Sequence, residues 1–224
     1  MITEQHLKSK LGNEYRECML LEENKKYKGH WKGFIIFTLI VGIIVGYFSV
    51  VSDNLSNLRN GVTVFEFVIS YLAVIINSLP VWFILAMLVG YIFASDIKKA
   101  MLFGVIYTLT AITFYFLITY FYGDVPVKIS FKELAIGYGI HYGASAVGGI
   151  LGGILGFLVK KTPYALLCLI LGLILQLYVN GTRSWRDIIG IGENVTYCLL
   201  IVGIVIYLVN FKRNERKETS IDFQ

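Results

Sequence analysis

Six long apolar stretches take up most of this chain, at 33–51, 64–93, 101–122, 134–159, 163–180 and 191–211, and short polar or charged segments separate them. Each is near or above the ~20 residues that a helix needs to cross a hydrocarbon core about 30 Å thick. Backbone groups in lipid must satisfy one another, so runs of this length and character form helices. The expected fold is all-α, a polytopic membrane bundle of six transmembrane helices. Residues 1–32 are read as a cytosolic amphipathic segment, 33–211 as the membrane domain and 212–224 as a cytosolic polar tail. Neither flank is long enough to hold a core of its own.

Charged residues make up 16% of the chain, against about 25% in a typical soluble domain. The net charge of +5 does not indicate a nucleic-acid partner, because Lys and Arg follow the membrane spans. Segment 1–32 carries Lys8, Lys10, Arg16, Lys25, Lys26, Lys28 and Lys32. Lys98 and Lys99 follow the second span, Lys160 and Lys161 the fourth, and Lys212, Arg213, Arg216 and Lys217 the sixth. The other side holds only Arg59, Lys128, Lys132, Arg183 and Arg186. The positive-inside rule then places both termini in the cytoplasm, and an even number of spans agrees in putting them on one side. The expected location is the plasma membrane, with the lipid bilayer as first partner, and the chain has a bacterial character. Cys18, Cys168 and Cys198 have neither metal nor redox spacing, and no cofactor is expected.

Ahead of the first span, Leu7, Leu11, Tyr15, Cys18 and Met19 recur at helical spacing among Glu14, Arg16, Glu17, Glu22 and Glu23. Such a helix either anchors at the interface or docks a cytosolic subunit. Its glutamates would be repelled by anionic lipid. Six spans, both termini inside and an amphipathic helix before the first resemble the membrane subunit of a type-2 ABC exporter. Size and span count are also similar to the substrate-binding membrane subunit of energy-coupling-factor vitamin importers. Either resemblance implies a cytosolic ATPase or another membrane subunit as partner. Both are architectural, and no site residue is carried over from them.

The fourth span is glycine-rich and is expected at the centre of the bundle. Ala144, Gly148, Gly152 and Gly156 form one row at four-residue spacing, with Ser145, Gly149 and Gly153 beside it. Two adjacent small rows make a flat face onto which another helix packs backbone to backbone, within the chain or in a homo-oligomer. In the second span, Asn77, Ser78 and Pro80 interrupt the apolar run. Proline leaves the Ile76 carbonyl without its helical donor, and Asn77 or Ser78 is expected to replace it. Such a break is either a purely structural kink or, as in transporters, a substrate site.

His141 lies about two turns into the fourth span. Glu66, Gln176, Glu193 and Asn194 sit toward the outer ends of the second, fifth and sixth. If those helices surround the fourth, a polar vestibule opens outward, lined by Asn77, His141, Gln176, Glu193 and Glu66. Polar side chains at such depth are costly and mark solute paths or proton relays; the structural alternative is that His141 bonds a backbone carbonyl and that Glu66 and Glu193 are interfacial and solvated. An enzyme is not expected. Gly143-Ala144-Ser145-Ala146 beside His141 faintly resembles intramembrane serine proteases. Those need serine and histidine on different helices, whereas here they are four residues apart on one. Two functional readings follow: a permease or permease subunit for a small or lipophilic solute, or an immunity, assembly or regulatory factor that docks through the glycine face.

Overall fold

The computed structural model describes residues 31–55, 63–122 and 131–221, all of them helical apart from short connections. The amphipathic helix expected over 1–30 lies outside the described residues. Among the described residues seven α-helices follow one another: α1 Trp31–Asp53, α2 Val64–Asn77, α3 Leu79–Phe93, α4 Ile97–Tyr122, α5 Phe131–Lys161, α6 Leu166–Asn180 and α7 Ile188–Ile221. Five of them are long and apolar enough to cross a membrane, and six spans result if the bent pair α2 and α3 counts as one. The chain is thus an all-helical, multi-pass membrane bundle. Helix α7 continues beyond the apolar run, so most of the polar tail extends the last span.

The chain divides into two compact units, Met1–Phe37 and Thr38–Gln224. In the first, the Trp31 ring stands edge-on to Phe34, with centroids 5.9 Å apart. The second contains everything that follows.

Within the second unit, α3 and α4 each pack on α5 largely backbone to backbone. A Cβ on Gly153 would run into the Ala100 carbonyl, and one on Gly149 into Gly104 and Thr108. Both lie against α4, and the Gly153 carbonyl also stands where a Cβ on Gly90 of α3 would be. Gly152 and Gly156 lie instead against α3, at Ala86 and Met87. Residues 149 and 152 are three apart, which turns their faces about 60° from each other on a helix of 3.6 residues per turn. One glycine-rich helix therefore receives two neighbours. Each neighbour answers with its own small pair, Ala86 and Gly90 on α3 and Ala100 and Gly104 on α4. The Thr108 hydroxyl donates to carbonyls, including that of Ser145 across the α4–α5 contact at 2.8 Å. On the other side of α5, Ile136, Ile140, Val147 and Leu151 are exposed, as lipid-facing side chains are. Helix α1 meets α4 by the same device: a Cβ on Gly46 would lie 2.8 Å from the Tyr115 backbone nitrogen.

The break in the second apolar run falls at Ser78, which is extended (φ −74°, ψ 144°) and serves both as C-cap of α2 and N-cap of α3. The two helices are bent by 63° there. Pro80 sits in the first turn of α3, where its missing N–H costs nothing. The Ser78 hydroxyl and N–H both donate to the Ile75 carbonyl, at 2.6 and 3.1 Å. The replacement donor expected at Ile76 therefore serves the preceding carbonyl, and Asn77 is directed elsewhere.

Beyond the break α2 packs on α7, where the Tyr71 and Thr196 hydroxyls bond to each other. Helices α3, α6 and α7 meet at Met87, Leu169, Leu173 and Tyr197. Between α6 and α7, Gly181 adopts φ +60°, a conformation that favours glycine. On the connection between α3 and α4, the Asp96 carboxylate accepts from the Lys99 N–H at 2.9 Å and so caps α4. That bond holds its carboxyl below the ordinary aspartate value.

Candidate functional site

Helices α5 and α6 touch only lightly, and a cavity of about 590 Å³ opens between them, walled also by α3 and α4. The break at Ser78 brings the end of α2 to its rim. Asn77, His141 and Gln176 line this one cavity, together with Pro80, Trp82, Thr108 and Ser145. The rest of the wall is mainly apolar, with Phe83, Ile112, Leu169 and Leu173 among its members. Two glycines keep the space open. A Cβ on Gly148 or Gly172 would meet nothing within 4 Å. Gly148 thus differs from Gly149, Gly152, Gly153 and Gly156: it belongs to the cavity wall.

Each of the three polar side chains is held from behind. The His141 Nδ1 lies 2.8 Å from the Gly137 carbonyl one turn back. Its ring stands edge-on to Phe116 at 5.7 Å. Asn77 donates through Nδ2 to Asp53 at 3.2 Å, and the Tyr115 hydroxyl donates to the other oxygen of that carboxyl at 2.6 Å. Asp53 thereby ties the end of α1 to the helix break and to α4. From the sequence, Asp53 falls in the polar segment between the first two apolar runs. It is the last residue of α1, two residues past the apolar run, and nothing in the sequence there separates it from the loop.

Gln176 begins a relay. Its Nε2 donates to Asn180 at 2.8 Å, Asn180 donates to Asn194 at 2.9 Å, and Asn194 donates to Ser184 at 2.8 Å. Ser184 donates in turn to the Gly181 carbonyl at 3.0 Å. Asn194 is fully buried, so its amide is satisfied by protein on both sides.

Glu66 and Glu193 do not join this cavity. Glu66 accepts from the N–H and the hydroxyl of Thr63, both at 2.8 Å, and completes a capping box at the start of α2. Thr63-Val64-Phe65-Glu66 is the sequence pattern of that box. Glu193 accepts from the Tyr197 hydroxyl one turn on, at 2.6 Å. The vestibule expected around the fourth span does not form with these two carboxylates. The bend at Ser78 carries α2 toward α7, and both acids go with that pair.

Mainly apolar walls with a few fixed polar groups suit a small guest that is apolar over most of its surface and polar at one end. Compared with protein-family models, with curated proteins and with solved structures, the chain matches none.

Proposed function

We propose that this protein is a permease, or the membrane subunit of one, for a small solute with an apolar body. The observation that carries the reading is the cavity of about 590 Å³ into which the break of a transmembrane helix, His141 and Gln176 all project their residues. Ligand sites commonly occupy about 300–1,000 Å³. Transporters place them at broken helices near the middle of the bilayer, where unwound backbone can be tolerated. The distribution of Lys and Arg supports cytoplasmic termini. Docking of another membrane protein on the glycine face is the weaker reading, since Gly149, Gly152, Gly153 and Gly156 are already covered by α3 and α4.

The test is solute-dependent stabilisation followed by uptake. Wild-type protein and Gly148→Phe are purified, screened by thermal shift against a panel of small aromatic acids, alcohols and amines, and reconstituted into vesicles. The phenyl ring begins in open space and protrudes into the cavity from the α5 wall. A solute that stabilises wild type, leaves Gly148→Phe unmoved and enters only wild-type vesicles supports the proposal. Absence of any solute-dependent shift, or equal shifts in both proteins, overturns it. Co-purification of a stoichiometric cytosolic ATPase would make the chain a subunit, and recovery alone a self-contained carrier.

A further inference from the structure

The hydrogen bonds behind the cavity fix which atoms its polar side chains have left to offer. The Gly137 carbonyl can only accept, so Nδ1 of His141 carries the proton toward it. In the neutral ring Nε2 then remains as an acceptor. A carboxylate likewise only accepts, so Asn77 must turn its NH₂ group to Asp53, and its Oδ1 is left over.

The orientation of Gln176 is fixed from further away. Ser184 spends its one hydroxyl proton on the Gly181 carbonyl, so its oxygen must accept from the Asn194 NH₂. Asn194 Oδ1 must then accept from Asn180, and Asn180 Oδ1 from Gln176. Reversing any amide in this series would set two donors or two acceptors against each other. Gln176 therefore keeps Oε1. Thr108 spends its proton on backbone carbonyls as well. Against these acceptors stand the second N–H of each amide and the indole N–H of Trp82. The Trp82 nitrogen is buried and has no partner among the described residues. Among the described residues, no Lys or Arg lines the cavity, while Asp53 stands directly behind Asn77.

Resting on the solute-site reading above, we infer that the cavity selects its guest by hydrogen-bond donors, and that the guest class is a primary amine on an apolar body. A protonated amine brings three donors and no acceptor. It matches Asn77 Oδ1, Gln176 Oε1 and the neutral His141 Nε2, and it gains from the neighbouring Asp53 carboxylate. A carboxylate or phosphate guest brings only acceptors; the spare amide N–H groups can serve it, but it meets the same lone pairs and the Asp53 carboxylate unfavourably.

The experiment uses the full chain in nanodiscs of uncharged lipid and three probes that share a phenethyl body. 2-Phenylethylamine carries charge and donors, its N,N,N-trimethyl derivative carries charge without donors, and 3-phenylpropionate carries acceptors only. Calorimetric binding is expected to rank the amine at least tenfold above the trimethyl derivative, with no binding of the propionate. Asp53→Asn and, independently, Gln176→Leu are each expected to weaken the amine about tenfold. Gly148→Phe is expected to abolish its binding. The wild-type ranking needs no variant to fold. Equal binding of the amine and its trimethyl derivative overturns donor recognition. Preference for the propionate, lost in Gly148→Phe, overturns the amine class while leaving the cavity as a solute site. Amine binding that survives Gly148→Phe, or no binding of any probe, overturns the inference. In those cases the uptake experiment judges the permease reading separately.

Discussion

The main-chain carbonyl oxygen of Met87 stands where a side chain on Gly156 would begin. No rotamer can relieve that overlap, because the obstacle is backbone; α3 and α5 would have to move apart. Gly156→Leu is therefore expected to destabilise by roughly 3 kcal/mol or more, at or beyond the upper end for overpacked cores. Gly148→Leu, which enters open space, should stay within about 0.5 kcal/mol of wild type. Unfolding midpoints in mild detergent distinguish the two, and equal losses would refute the packing.

That contrast also marks how far the sequence could be read. The apolar runs were legible because bilayer thickness leaves little choice of length or conformation. The small rows on α5 were legible as a packing face, but their occupants were not. Ala86 with Gly90, and Ala100 with Gly104, are pairs that any apolar helix carries by chance, and they acquire meaning only opposite Gly149, Gly152, Gly153 and Gly156. Asn77, His141 and Gln176 stood out as polar atoms at depth, and all three line one cavity. Asp53 did not stand out, because an acid at the end of a span reads as loop. Glu66 and Glu193 were misplaced for a related reason. Depth along a span says nothing of direction around it, and the bend at Ser78 decides which helices those two acids face.

Asn194 joins α6 to α7 through an amide fully removed from solvent. Asn194→Ala leaves the Asn180 NH₂ without its acceptor, at an expected cost of roughly 1–2 kcal/mol, the upper part of what hydrogen bonds between membrane helices contribute. Paired with Asn180→Ala in a double-mutant cycle, the two losses should be clearly less than additive. Strict additivity would show that the bond between them does not form.

Asp96 supplies a pH dependence of known sign. The Lys99 N–H lowers its carboxyl below the ordinary 3.8. The cap is therefore fully stabilising above that value and is lost as pH falls through the lower, folded-state value. Between pH 6 and 2.5, the unfolding midpoint of wild type should decline more than that of Asp96→Asn, whose amide oxygen still caps but does not titrate. Parallel declines would remove Asp96 from the account.

Helices α2 and α3 have 14 and 15 residues and are bent by 63°. At 1.5 Å per residue they are about 21 and 22 Å long. With α3 along the membrane normal, the tilted α2 adds about 10 Å, giving roughly 32 Å, close to the thickness of the hydrocarbon core. One bent span fits these lengths. A re-entrant hairpin would leave Lys98 and Lys99 on the side of Arg59 and undo the charge bias. The bent span keeps the number of crossings even. Reporters at the two ends should then report the same, cytoplasmic side, and single cysteines placed at Arg59 and Lys98 should label from opposite sides. Termini on opposite sides, with both cysteines labelled from one, would make α2 and α3 a re-entrant pair and move the cavity rim to the membrane surface.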